Sequence, residues 1–199
     1  YGSCNFAQSS FIYREQFMKN QVAHKILSFE YILAKLIEWY SCMKPSEKAD
    51  LSSFTRLKVL KLLFFVAAIK QDNGSDLLDI FDNFYAMQHG PVESDIYNSI
   101  INELKYFSFK DRDLCINNSI NEDSFAGLTE EEKKTITNSI SALRAANNEI
   151  ILYSASQLVN LSHRWESWKT AIAIADILGK GSEKMSIKLI RESEQYFSI

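Results

Sequence analysis

Cysteine, proline and glycine are scarce in this chain, and basic charge is not in surplus. Its 199 residues include 3 cysteines, 2 prolines and 6 glycines. Cys4, Cys42 and Cys115 are odd in number, far apart and free of any CxxC pair. That excludes a disulfide framework and a zinc or thioredoxin-like site built on paired cysteines, and it fits a reducing compartment, so a cytoplasmic location is expected. The low glycine and proline content rules out collagen-like and low-complexity segments. A formal net charge of −3 argues against nonspecific nucleic-acid binding as the main business, which needs a basic surplus to displace counterions from phosphates. The longest apolar run, Val59 to Ile69, is broken by Lys61 and is about half of the ~20 residues a bilayer requires, so it reads as a buried helix. The start, Tyr1-Gly2-Ser3-Cys4, has neither a basic nor an apolar signal region. Residues 1–20 are read as an N-terminal segment, partly non-native or flexible. HExxH, GxSxG, GxGxxG and GxxxxGK[ST] are all missing, so no catalytic signature is expected and no cofactor is implied.

What is present is apolar mass: 46% hydrophobic residues, 13% of the chain aromatic. This composition suits one compact body, and residues 21–199 are read as a single domain. From Gln21 to Met43, Val22, Ile26, Phe29, Leu33, Leu36, Ile37 and Tyr40 recur every three or four residues, the spacing of an amphipathic helix. MKPSEKADLSS forms the first connection. A second helix, from about Leu51 to Lys70, is apolar on both sides and belongs in the middle of a bundle. Asn73-Gly74 is expected to end it. Asp76 to Phe84 stays undecided between helix and extended chain, and Val92 to Leu104 reads as a helix with Ile96, Tyr97, Ile100, Ile101 and Leu104 on one stripe. Residues 106–127 are loop-like, with a short hairpin around Phe107 to Ile120. Thr129-Glu130-Glu131-Glu132 is a capping box opening a surface helix to about Asn147. Short helices follow from Ser154 to Ser162, over the apolar stretch Ala171 to Leu178, and from Ser182 to about Phe197. The expected fold is mainly α, a single-domain helical bundle with at most a small β-hairpin.

Several residues invite a chemical reading. Asp76, Asp79 and Asp82 recur every three residues and on a helix would line one face, attractive to a cation but more simply a solvated face, so no metal site is assigned. Gly179-Lys180-Gly181-Ser182 resembles part of a phosphate loop but reads as a helix C-cap followed by an N-cap. His24, His89 and His163 have no metal-ligand spacing, and the sequence leaves open whether the fold brings His89 and His163 together. In Ser162-His163-Arg164-Trp165-Glu166-Ser167-Trp168-Lys169, Trp168 is expected to be buried; Trp165 stays open between core and partner contact. His89, Arg164, Trp165 and Trp168 are the candidate partner interface. In Met87-Gln88-His89-Gly90-Pro91-Val92, Pro91 is expected at the first position of a helix, with Gly90 as its N-cap and Glu93 reaching back to the Gly90 N–H. A tight corner in which a Cβ would clash is the simpler account of Gly90.

Three blocks then fall in a familiar order: Leu57-Lys58-Val59-Leu60-Lys61-Leu62-Leu63-Phe64-Phe65-Val66-Ala67; Phe84-Tyr85-Ala86-Met87-Gln88-His89-Gly90-Pro91-Val92 with Tyr97; and Leu158 to His163 with Trp168-Lys169. Together, over about residues 54–175, they resemble the Panacea domain family, also described as SocA-like antitoxins or phage-associated GepA-like proteins. Its pattern is a KLQKLLYYA-like helix, an F-x-AW-x-x-GPV-x-x-x-Y block and a late L-[ST]-H followed by WK. Leu60 stands where the family often has Gln, Phe64 where Tyr is common, Met87 where Trp is usual, and the first helix looks like an extension. The motif residues carried over are Lys58, Lys61, Leu62, Phe64, Phe84, Ala86, His89, Gly90, Pro91, Val92, Tyr97, Leu161, His163, Trp168 and Lys169, as structural or partner-binding positions. The resemblance implies a prokaryotic or phage-encoded antitoxin that neutralises a toxin from an adjacent gene by protein–protein binding. It supplies no catalytic residue. The partner expected is thus that toxin, with no membrane, nucleic acid at most secondary, and a homo-oligomer left open. Two other classes remain: a small hydrolase or metal-dependent enzyme using His89 and His163, and a DNA-binding regulator drawing on Arg56, Lys58 and Lys61.

Overall fold

The computed structural model describes residues 4–45 and 51–199. The fold is mainly α with two small antiparallel sheets. Helix α1 spans Cys4–Met43, 40 residues or about 60 Å at 1.5 Å per residue. It therefore starts well before the expected Gln21, because residues 4–20 contain no glycine or proline to stop it. Side chains from Arg14 to Gln21 are exposed, whereas Ile26, Phe29, Leu33, Leu36 and Tyr40 are buried on the expected stripe. The connection after α1 includes residues 46–50, outside the described residues.

Helix α2, Arg56–Ala68, is the central helix. Thr55 caps it by accepting the Lys58 N–H, and every residue from Lys58 to Ala68 is buried. The helix ends at Ala68 rather than near Lys70, its Ile69 cap already extended. Gly74, expected as the stop, instead sits at φ +80° in a separate turn closed by hydrogen bonds between Gln71 and Ser75 and between Gly74 and Gln71. Around α2 the core is aromatic: Phe64 meets Phe84 and Trp165 edge-on at 5.4 and 4.9 Å, and Trp165 meets Phe197 at 5.8 Å.

The stretch left undecided between helix and strand resolves as turns followed by a strand. β1, Phe84–Met87, pairs with β2, Gly90–Glu93, and with β5, Glu183–Lys184, giving the order β2-β1-β5. The helix expected from Val92 to Leu104 is only α3, Ser94–Ser99. Of its expected stripe Ile96 and Ile100 are buried, while Tyr97 and Ile101 are exposed. A second hairpin, β3 (Phe107–Lys110) with β4 (Asp113–Ile116), lies inside the stretch read as loop with a hairpin.

Helix α4, Glu130–Ala146, begins with the expected reciprocal cap between Thr129 and Glu132. Helix α5, Ala155–Ser162, opens with a second one, between Ser154 and Gln157. Helix α6, Glu166–Ile177, ends in a paired cap: the Gly179 N–H bonds the Asp176 carbonyl, the Lys180 N–H bonds the Ala175 carbonyl, and Gly179 lies at φ +64°. Ser182 does not cap the last helix. The chain first adds β5, and α7, Ile187–Glu192, is capped by Ser186.

Candidate functional site

The Gly90-Pro91 break is a hairpin and not a helix start. Met87 and Gly90 pair across a two-residue turn, Gln88-His89. Gln88 and His89 keep negative φ, and the residue after them takes the left-handed conformation that brings the chain back into the strand: Gly90 sits at φ +89°. Space makes the same demand: a Cβ at Gly90 would lie 2.3 Å from Ser162 Oγ and 3.2 Å from Lys61 Nζ. Pro91 is tolerated because only one side of its strand is paired in the sheet. The helix start is displaced to Glu93, whose carboxylate accepts the Ile96 N–H at 2.8 Å, so Glu93 is the N-cap of α3 and not the partner of Gly90.

Three donors from distant parts of the chain hold this hairpin. Lys61 Nζ, from α2, donates to the Pro91 carbonyl at 2.5 Å. Trp168 Nε1, from α6, donates to the Met87 carbonyl at 3.0 Å. His163, the cap of α5, hydrogen-bonds the Gln88 backbone, and its ring stacks on Trp168 with centroids 3.8 Å apart. Beneath them Ser162 Oγ donates to the Val159 carbonyl and fills the space a Gly90 side chain would need. The three sequence blocks thus meet at one corner.

The electrostatics are those of a desolvated basic cluster. Burial pushes Lys61, with no exposed surface, down to about 7. His163 is lowered as well, first by burial and then by the charges of Lys61 and His89, against the opposing bond to Gln88; it is neutral at pH 7. Its Nε2 is buried without a hydrogen-bond partner. The fold therefore does bring His89, His163 and Lys61 close together. No carboxylate joins them: the only potential metal-binding group among the described residues is Asp82, Glu93 and Asp95.

That acidic group already holds a cation from the chain itself. Lys25 Nζ, on α1, donates to Asp82 at 2.8 Å, Glu93 at 2.7 Å and Asp95 at 2.6 Å. Burial would lower the Lys25 pKa, but the three carboxylates outweigh it and hold the ammonium well above the ordinary lysine range. Glu93 is buried and raised by desolvation, with Lys25 and the Ile96 N–H pulling the other way. Asp76 and Asp79, on turns rather than a helix, bind Arg191 of α7. The aspartate triplet thus attracts cations, but they are side chains.

The remaining candidates separate cleanly by burial. Lys58, Lys61, Leu62, Phe64, Phe84, Ala86, Gly90, Pro91, Val92 and Leu161 are buried. Trp165 is wholly buried in the aromatic core, donating to the Tyr196 carbonyl, so it offers no face to a partner. Trp168 is half-buried, the reverse of the expected ranking of the two tryptophans. Arg164, Lys169, His89 and Tyr97 are exposed; Arg164 donates to the Ser198 carbonyl and lies over Tyr196. Arg56 donates to the Asp111 carbonyl, and with Lys58 and Lys61 buried, α2 has no basic face for DNA.

The Lys25 cluster and Glu30, which accepts the Tyr106 and Phe107 N–H groups at 2.7 and 3.2 Å, were not anticipated. The available signal was a charged residue beside the apolar stripe of α1: Lys25 next to Ile26, Glu30 next to Phe29.

Fold and site define a mainly helical domain whose distinctive residues hold a backbone hairpin, its strand β2 buried and its turn exposed. The chain matches the family model "Antitoxin SocA-like, Panacea domain" over residues 59–169, more than half its length, and it belongs to that family. Neither the curated proteins nor the solved structures provide a match. Among the described residues no helix is long and apolar enough to cross a membrane.

Proposed function

We propose that the protein is an antitoxin that neutralises a toxin from an adjacent gene of a bacterium or phage by direct binding, without catalysis. The observation that carries this reading is the family match over residues 59–169, and the geometry supports it. Most of the family motif builds an interior corner and acts as scaffold, while His89, Tyr97 and Lys169 stay exposed beside it. A partner is then selected by surfaces around that scaffold. The largest such addition lies outside the matched region: on α1, Phe17 and Met18 are more than half exposed and line a groove with Val22, Ile80 and Asp82, Met18 also bordering a second groove lined by Ala23, Leu27 and Glu103. Apolar anchors rimmed by charge are the usual make-up of a protein-binding face.

Co-expression with the neighbouring gene tests the reading. Rescue of growth and co-purification are expected, and a harmless neighbour, or a toxic one that is neither rescued nor bound, removes it. His89→Ala and His163→Ala variants that remain folded should still rescue; loss of rescue with toxin binding intact would instead point to chemistry at the histidine corner.

A further inference from the structure

Helix α6 presents an apolar ridge that no described residue covers. Ile177 is 84% exposed, the highest value among the large apolar side chains described, and Ile174 and Leu178 are 43% and 55% exposed. They lie at i, i+3 and i+4: Ile177 stands beside exposed Ala173 on the outer side of the helix, and Ile174 and Leu178 continue the strip toward the edge that carries buried Ala171 and Ala175. A patch of this kind on a rigid, capped helix marks an interaction surface. The charges bordering it identify the occupant. Along the exposed side the order is Glu166, Lys169, Ala173, Asp176 and, just past the cap, Lys180. Reversed end to end about Ala173, this order sets Glu166 against Lys180 and Lys169 beside Asp176, so the pattern complements itself. A surface that complements its own two-fold image fits a second copy of the same surface.

We propose that α6 pairs antiparallel with α6 of a second copy of this chain, forming a two-fold symmetric dimer. Ala173 lies at the crossing, where its small side chain lets the two backbones approach. Ile177 of each copy enters the gap between Lys169, Thr170 and Ala173 of the other, following the ridges-into-grooves rule. Lys169 and Glu166 of one copy now form only a loose pair at 3.9 Å, and Lys180 pairs with Glu183 at 3.3 Å, both on the surface. Exchanging such exposed pairs for intermolecular ones costs little. A 12-residue helix is about 18 Å long, so the contact is small and the dimer should form reversibly at micromolar concentrations. The pairing does not depend on the antitoxin reading.

Sedimentation analysis of the full chain over a concentration series tests this. The wild type should pass from monomer to dimer. Ile177→Glu should weaken association by at least about tenfold. Lys169→Glu and Asp176→Lys should each weaken it by placing like charges together, and the double variant should restore it. All three positions are exposed, so melting temperatures should stay unchanged and confirm that the variants fold. A wild type monomeric at every concentration overturns the proposal, as does a dimer that survives Ile177→Glu. Failure of the double variant to recover overturns the antiparallel arrangement. Loss of toxin co-purification in these variants, with a monomeric wild type, would assign the ridge to the toxin and overturn the proposal too.

Discussion

Lys61 has one hydrogen-bond acceptor, the Pro91 carbonyl, and no exposed surface, and this sets how the fold responds to pH. Its pKa falls from the ordinary 10.5 when unfolded to about 7 when folded. Between those values the unfolded chain binds the extra proton, so stability rises with pH across that window, by up to about 1.4 kcal/mol per pH unit from this group. Below pH 7 both states are charged and the penalty of burying the ammonium is fully present. Denaturant titrations of wild type and Lys61→Met from neutral to alkaline pH should differ in slope over this window, with the variant flatter; parallel curves would contradict the assignment. Lys25 behaves in the opposite sense. Lys25→Met leaves buried Glu93 facing Asp82 and Asp95 without a cation, and should cost about 3–5 kcal/mol at neutral pH. The loss should shrink as pH falls and the carboxylates take up protons. Urea midpoints at neutral and acidic pH check both statements.

At the scale of elements, the capping box at Thr129 and the helix start at Ser154 were the legible caps, whereas those expected at Gly74, Gly90 and Ser182 were not. Thr129 with Glu132 and Ser154 with Gln157 lie where the side-chain spacing puts them, because a cap is a local arrangement that needs no tertiary partner. Thr129→Ala should lower stability by about 1 kcal/mol, measurable as a shift in the melting midpoint. The α1 stripe and the doubly apolar α2 were equally readable from periodicity. The hairpin at Gly90-Pro91 was not, since proline after glycine suits a helix start as well as an edge strand, and the choice depended on Lys61, His163 and Trp168 arriving from elsewhere. For the same reason the helix expected from Val92 to Leu104 shrank to α3: strand pairing with β1 claimed its first residues. Ser182 as an N-cap failed in the same way, its neighbours being drawn into β5 alongside β1. Trp168→Phe removes one of the three donors holding the turn and should cost about 1 kcal/mol, less than a core tryptophan such as Trp165.

Taken whole, the molecule joins a largely buried motif corner to an α1 whose side chains from Arg14 to Gln21 are exposed. Phe17→Glu together with Met18→Glu should leave the melting temperature within about a degree, since both side chains are largely exposed, yet abolish toxin capture in a pull-down. Retained capture would move the toxin-binding face elsewhere, to the surroundings of His89 and Tyr97. Chain-level identity was readable only because three weak blocks occurred in order; which side chains are exposed was not, because that depends on how the distant elements pack against one another.

The contact between Gly90 and Ser162 also restricts the order in which this protein can change over generations. Gly90→Ala alone drives a methyl group into Ser162 Oγ, so a lineage reaching any larger residue at 90 must first pass through a smaller one at 162. Ser162→Gly followed by Gly90→Ala should recover part of the loss, the remainder reflecting the positive φ that no substitution at 162 relieves. Positions 61, 90 and 162 are thus coupled by packing, a constraint that the exposed side chains do not share.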